Sequence, residues 1–185
     1  MASKTLLESL NPKGHLEIIK KYSDGHEETV LDDHNVITVG SLFSNTEALA
    51  TADNYSIAYF QIGETSGSMV SGTSKLANPL EAAQYGNSDL TLSSISIGGT
   101  GATYAQDSAH INPSYISKTS SSKVTYSLVI EEAAANSISI KEIGLFSKNP
   151  LLESSPLAYL CAYRSFAGIT KTDAFALIFK WTLEF

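Results

Sequence analysis

The chain predicts an all-β fold: an antiparallel β-sandwich of jelly-roll type, with one short helix and long loops. Three observations predict it. The C-terminal run places Phe175, Leu177, Phe179, Trp181, Leu183 and Phe185 on alternate residues. Alternate side chains of a strand share a face, so this run presents one wall of large apolar groups that another layer must cover. Further short alternating segments recur between turns rich in Gly, Pro and Ser, the spacing of a sandwich or barrel. Only one stretch, residues 41–50, carries apolar groups at helical spacing.

Composition bounds the rest. A chain of 185 residues, 43% hydrophobic and 17% charged, is long enough for one well-buried domain and short for two. We place that domain at 15–185, behind an N-terminal arm, 1–14. A net charge of −7 and a pI near 5.0 argue against a nucleic-acid partner, whose backbone calls for clustered Lys and Arg. No apolar run is long enough to cross a bilayer, so no membrane partner is expected. The opening MASKTLLESLNPKG lacks the apolar core of a signal peptide. Cys161, the sole cysteine, excludes an internal disulfide. It alternates with Leu157, Tyr159 and Tyr163, the setting of a buried structural thiol rather than a nucleophile, in a protein made in a reducing compartment.

In chain order, Leu6, Leu7 and Leu10 form a short apolar patch stopped by Asn11-Pro12-Lys13-Gly14. It is too small to pack on itself and is a candidate contact with another subunit or with a particle. Residues 16–22 and 26–31 flank Ser23-Asp24-Gly25, a hairpin signal because Asp-Gly supplies positive φ angles. Asp32-Asp33-His34-Asn35 reads as a turn into Val36-Ile37-Thr38-Val39. Leu42, Phe43, Thr46, Leu49 and Ala50 then share one helical face, with Gly40 or Ser41 available to cap the helix. Strands follow at 56–62 and 90–97, the second with a phase switch that implies a bulge. Between them lie a loop at 71–80 and a turn at 81–85. Residues 98–123, built of Gly, Ser, Thr, Ala and Asn, read as a long surface loop. Alternation returns at 124–130. After a turn at 131–136, a strand opens with Ile138 and Ile140 and shifts phase to Ile143 and Leu145, another bulge. The segment 157–163 pairs onward, and 168–173 delivers the terminal strand.

Within 142–185, Glu142-Ile143-Gly144-Leu145-Phe146 precedes Leu157-Ala158-Tyr159, then Phe166, Ile169-Thr170-Lys171-Thr172 and the tryptophan-bearing last strand. This pattern resembles a module of tailed-bacteriophage virion proteins: an EIGLF strand, a hairpin return, an F-x-x-I-x-K corner and a final strand with Trp. It is similar to the attachment region of phage tail fibres and to small phage structural proteins. The opening hairpin, Asn35-Val36-Ile37-Thr38, Gly40 and Phe60-Gln61-Ile62-Gly63 resemble the front half of those small proteins. The resemblance implies a structural role in the virion for a chain made in the bacterial cytoplasm. Its partners would be other virion proteins: the major capsid protein, or proteins of the tail, neck or baseplate.

The motif also has a physical reading of its own. Glu142 points away from the core or caps a neighbouring backbone, and Gly144 admits a close neighbour or a bulge. Lys171 is placed to pair with Glu142. Phe179 and Trp181 belong to the core. None of these is catalytic.

Candidate chemistry elsewhere is thin. His15, His26, His34 and His110 show no metal-binding spacing. Glu27, Glu28, Asp32, Asp33 and His34 could take a divalent cation through oxygen ligands, but the EF-hand order is missing, so a solvated acidic loop is the better account. Gly98-Gly99-Thr100-Gly101 lacks the helix that a phosphate cradle requires. No serine has an adjacent His base. No catalytic, cofactor or metal site is expected, and no cofactor. Tyr55, Tyr59, Tyr85, Tyr104 and Tyr115 suit an interface or the core better than a carbohydrate platform.

The expectation is a capsid decoration (cement) protein that binds and stabilises the particle surface. The alternatives are a tail, neck or baseplate component, a tail-fibre attachment protein that binds glycans, and an enzyme whose site one sequence hides. The module runs to Phe185 with nothing after it to form a fibre shaft, which favours decoration. The apolar patch in the arm, with the Ser/Thr/Tyr-rich middle, predicts a homo-oligomer, a trimer first.

Overall fold

The computed structural model of the chain describes residues 12–50, 56–79, 111, 115–133, 135–148 and 159–185. Among them, strands β1 (Lys13–Tyr22) and β2 (Glu27–Ile37) precede helix α1 (Val39–Ala50). Then come β3 (Tyr59–Gly63), β4 (Ile116–Lys118), β5 (Lys123–Ile130), β6 (Ser139–Phe146), β7 (Leu160–Thr170) and β8 (Phe175–Glu184). The first strand starts at Lys13, so Lys13 and Gly14 are already paired within the sheet.

The first hairpin turns through three residues. The Gly25 amide donates to the Tyr22 carbonyl (2.9 Å), and the Tyr22 amide donates to the His26 carbonyl (2.9 Å). Gly25 alone takes the left-handed conformation, at φ 88°. One positive φ after a tight turn is the geometry of a three-residue hairpin loop. Asp24 does not share that conformation; its carboxylate instead accepts from the His26 amide (2.8 Å).

Asp32-Asp33-His34-Asn35 does not form the expected turn; it continues β2 in register with β1, from Asp32 opposite Glu17 to Asn35 opposite Gly14. Its polar side chains have cross-strand partners, which removes the reason for the chain to leave the sheet. Asp32 meets His15 at 2.6 Å and Asp33 meets Arg164 at 2.7 Å. Arg164 also donates to the His34 carbonyl (2.6 Å).

All pairings are antiparallel, and the strands form one eight-stranded sheet in the order β3-β6-β7-β2-β1-β8-β5-β4. Strand β2 is the seam: most of it pairs with β1, while its last residues, Val36 and Ile37, pair with Tyr163 and Ala162 of β7. Among the described residues the fold is therefore all-β with one short helix, and the strands make one continuous curled sheet rather than the two separate sheets of a jelly-roll sandwich. The curl brings the halves onto one core, in which Leu16, Ile18, Leu128, Phe179 and Trp181 share a cluster with Phe60, Ile62, Ile140, Ile143 and Leu145.

Strand β8 lies between β1 and β5 and pairs with both along its length. Its wall of Phe175, Leu177, Phe179, Trp181 and Leu183 is buried as predicted, and only Phe185 at the end is exposed. The β6–β7 register shifts between Ile140 and Glu142, where the apolar phase changes as expected, but the extra residues lie on β7: Lys141 alone stands against Phe166, Ala167 and Gly168. Part of the expected long loop is strand: β4 forms a hairpin with β5, and Ile111 is fully buried with its amide on the Ala58 carbonyl (2.6 Å). The strand predicted at 90–97, the turn at 81–85, residues 98–110 and Leu6, Leu7 and Leu10 of the arm lie outside the described residues.

Helix α1 turns that shared apolar face away from the core. It buries Gly40, Ser41 and Ser44 against β7 and turns Leu42, Phe43 and Leu49 to the outside. Small residues allow the approach: a Cβ at Gly40 would collide with the Leu160 carbonyl. The Thr38 hydroxyl donates to that same carbonyl, and the Val39 amide donates to Ser71 (2.8 Å), anchoring the helix start at two points.

Candidate functional site

The EIGLF run is buried from end to end, because β6 is covered on both faces. Ile143 and Leu145 point into the main core. Phe146 joins a second, smaller cluster with Leu76, Leu160 and Tyr163, so it faces the other side together with Glu142 and Gly144. That side is covered by a strap, residues 64–79, which follows β3. Gly144 sits under the strap: a Cβ there would meet Leu160 and Leu76 side chains, so the missing side chain makes room for packing rather than for a second backbone.

Glu142 fastens the strap. It is completely buried. Its carboxylate accepts from the amides of Ala77 (3.0 Å) and Asn78 (2.8 Å) and from the Tyr163 hydroxyl (2.7 Å). Burial of a carboxylate is costly unless its lone pairs are filled, and three converging donors fill them. The Tyr163 hydroxyl in turn accepts from the Gly67 amide (3.0 Å), so one side chain joins both ends of the strap. Burial and the Glu142 carboxylate both push the Tyr163 phenol upward. Further along, Ser165 donates to the Gly67 carbonyl and Ser66 to the Phe166 carbonyl, each at 3.1 Å. The expected backbone-capping role of Glu142 is the one observed.

Lys171 does not pair with Glu142. In the β6–β7 register Glu142 stands opposite Ser165, whereas Lys171 lies beyond the Ser139–Thr170 pair at the far end of the ladder. The ammonium is buried and donates to the carbonyls of Thr172 (2.6 Å) and Glu132 (2.9 Å) and to Asn136 Oδ1 (3.3 Å). It also sits 5.3 Å from the centroid of the Phe175 ring, within cation–π range. Burial lowers its pKa to about 8, against the pull of the carboxylates of Glu132, Asp173 and Glu131. The turn it holds is strained, with Ala135 at φ 54° and Ser137 at φ 68°. Non-glycine residues in that region cost on the order of 1–2 kcal/mol each. The recess beside it, about 400 Å³, is lined by Asn136, Ser137, Thr170, Lys171, Thr172 and Asp173.

Trp181 is buried, and its indole N–H donates to Asn35 Oδ1 (2.8 Å). The intervening β1 residue is Gly14, where a Cβ would collide with the Asn35 side chain. Glycine there lets Asn35 reach across one strand to the tryptophan. Phe179 is fully buried beside it. Cys161 is buried, and burial raises its thiol to about 11, far from nucleophilic reactivity at neutral pH.

The acidic residues of the first hairpin do not converge: Glu28 meets Lys20 (3.4 Å), while Asp32 and Asp33 keep to His15 and Arg164. Among the described residues no group of three His, Cys, Asp or Glu is arranged to hold a metal ion.

Neither protein families, nor curated proteins, nor solved structures yield a match to this chain. Among the described residues the geometry assembles a set of fastenings (Glu142 on the strap, Lys171 on the 131–137 turn, Asn35 on Trp181) and an exposed apolar face on α1. Sequence gives no sign of the fastening roles of Tyr163, Asn35 and Arg164, because each acts on a segment far away in the chain.

Proposed function

We propose that this protein is a non-enzymatic structural component of a tailed-bacteriophage virion, and specifically a capsid decoration protein that binds the particle surface and stabilises it. One observation carries the reading: every residue of the Glu142–Phe146 motif that resembles the phage module is buried and has a packing or fastening role. In such a module the charged residue of the motif holds the chain together rather than acting on a substrate. On this reading the partners are the major capsid protein and further copies of the same chain, a trimer first. The protein is made in the bacterial cytoplasm and resides in the virion.

Quantitative mass spectrometry of purified particles tests it. A copy number comparable to that of the major capsid protein supports decoration. A low copy number moves the protein to the tail, neck or baseplate. Absence from particles overturns the virion reading altogether. Particles assembled without the chain should lose resistance to heat and to chelators if it is a cement.

A further inference from the structure

The turn before β6 is clamped to Lys171 through the backbone. The Ser137 amide donates to the Lys171 carbonyl and the Lys171 amide to the Ile138 carbonyl, each at 2.9 Å. On either side of Asn136 the backbone is left-handed, with Ala135 at φ 54° and Ser137 at φ 68°. That tight turn brings the Asn136 carboxamide back onto the lysine, with Oδ1 3.3 Å from Nζ. Lys171 is fully buried, and the centroid of the Phe175 ring lies 5.3 Å from its nitrogen.

We infer that Lys171 and Asn136 are the two halves of an internal isopeptide bond, which the folded chain forms unaided with release of ammonia. Burial favours the neutral, nucleophilic form of an amine, and here it brings the pKa to about 8. The carboxylates of Glu132, Asp173 and Glu131 oppose that shift, and Lys20 is the other cation over the Phe175 ring. An ammonium carries three N–H donors. Three acceptors surround this one: the carbonyls of Thr172 (2.6 Å) and Glu132 (2.9 Å), and Asn136 Oδ1 (3.3 Å). Once a proton leaves to solvent, the two shorter hydrogen bonds hold the two remaining hydrogens, and the lone pair faces the carboxamide. A small rotation of that group then brings Cγ to attack distance, about 3–3.5 Å. The step needs no co-reactant. Nζ bonds to Cγ, the Cγ–Nδ2 bond breaks, one hydrogen passes from Nζ to Nδ2, and ammonia leaves. The recess of about 400 Å³ beside the pair gives it a way out. The bond ties the turn before β6 to the corner after β7, 35 residues apart in the chain. Closing such a loop restrains the unfolded chain and so stabilises the fold. Reaction follows folding, so a freshly refolded chain still titrates Lys171 as a free amine. The inference rests on this corner of the fold and not on the virion reading.

Mass spectrometry of the full-length protein tests it. Folded protein is held at about pH 9, where the amine form dominates, and should lose about 17 Da, one ammonia. Protein held in urea at the same pH should keep its full mass. Trypsin should then leave residues 124–141 and 165–180 joined as one branched peptide, since a linked Lys171 is no longer a cleavage site. A succinimide at Asn136-Ser137, formed by attack of the backbone, has the same mass. It leaves the two peptides separate and is cleaved by hydroxylamine. Finding it in place of the branched peptide overturns the inference, and so does an unchanged mass in the folded protein. Asn136→Ala should keep its full mass under the same treatment; an ammonia loss there also overturns it.

Discussion

Strand β8 and helix α1 both carry a row of large apolar side chains, yet the two rows end in opposite environments. In β8 the row faces the core and five of its six members are buried. In α1 the row faces outward, and the helix seats itself through Gly40, Ser41 and Ser44. Periodicity reports which side chains share a face; it does not report which way that face turns. The deciding contact in α1 is a close approach to the Leu160 carbonyl that only a small residue permits. For β8 no such competition exists, because a strand bonded on both sides has only one face toward the core.

The largest expected effect breaks the β8 side of this comparison. Trp181→Ala removes the biggest buried side chain and orphans Asn35 Oδ1, and should cost about 3–5 kcal/mol in chemical denaturation. Lys180→Gln, next to it but on the exposed face, should cost less than about 0.5 kcal/mol. Equal costs for the two would mean that the outer face of β8 is covered as well.

Next in size is the strap. Glu142→Leu leaves the amides of Ala77 and Asn78 and the Tyr163 hydroxyl without their acceptor. An unsatisfied buried group costs about 1–3 kcal/mol, and part of this is recovered if the strap lifts and lets water in. We expect a loss of about 2–4 kcal/mol on that basis. Amide exchange separates the routes: rapid exchange confined to Ala77 and Asn78 signals local opening of the strap, whereas uniform loss of protection signals global unfolding. Unchanged protection and stability would remove Glu142 from its role as fastener.

How much of this was legible in the chain follows from how far apart the partners lie. The β8 wall, the Asp-Gly hairpin and the phase change in β6 depend on neighbours a few residues away, and periodicity and turn chemistry located them. The Glu142–Asn78 bond spans 64 residues and the Asn35–Trp181 bond 146, and no local pattern reports contacts of that kind. Lys171 and Glu142 look like natural partners by charge alone, but the strand register holds them at different ends of one ladder. Asp32-Asp33-His34-Asn35 looks like a turn by composition, yet its contacts with His15 and Arg164 hold it extended.

The α1 side of the comparison is sharpened by Gly40→Ala. The added methyl must push the helix off β7, an overpacking cost of about 1–3 kcal/mol. Because α1 covers the neighbourhood of Cys161, through a hydrogen bond from Ser44 to the thiol, loosening the helix should expose that thiol. Faster labelling of Cys161 by a maleimide, with little change in Trp181 emission, is the expected signature. Loss of both together would mean that α1 and the β8 core unfold as one unit.

The smallest effect is a pH dependence, and it too separates regions. Burial lowers the Lys171 ammonium to a pKa of about 8 in the fold, against the ordinary lysine value of 10.5. Between those values the unfolded chain holds a proton that the folded chain has released, so stability rises with pH through that window. Cys161 works the other way. Its thiol is raised from 9.0 to about 11, so the folded chain keeps a proton that the unfolded chain loses, and stability falls with pH above 9. Tyr126, raised from 10.0 to about 12 by burial, adds to that fall above pH 10. The net rise is therefore confined to roughly pH 8 to 9 and amounts to at most about 1.4 kcal/mol, the worth of one pH unit for one proton. Urea midpoints measured across this interval should climb for the wild-type chain. In Lys171→Met the whole curve should drop, because the carbonyls of Glu132 and Thr172 lose their donor, but it should run flat from pH 8 to 9. The slope, not the height, identifies the proton: an unchanged slope in Lys171→Met would place the titrating group elsewhere.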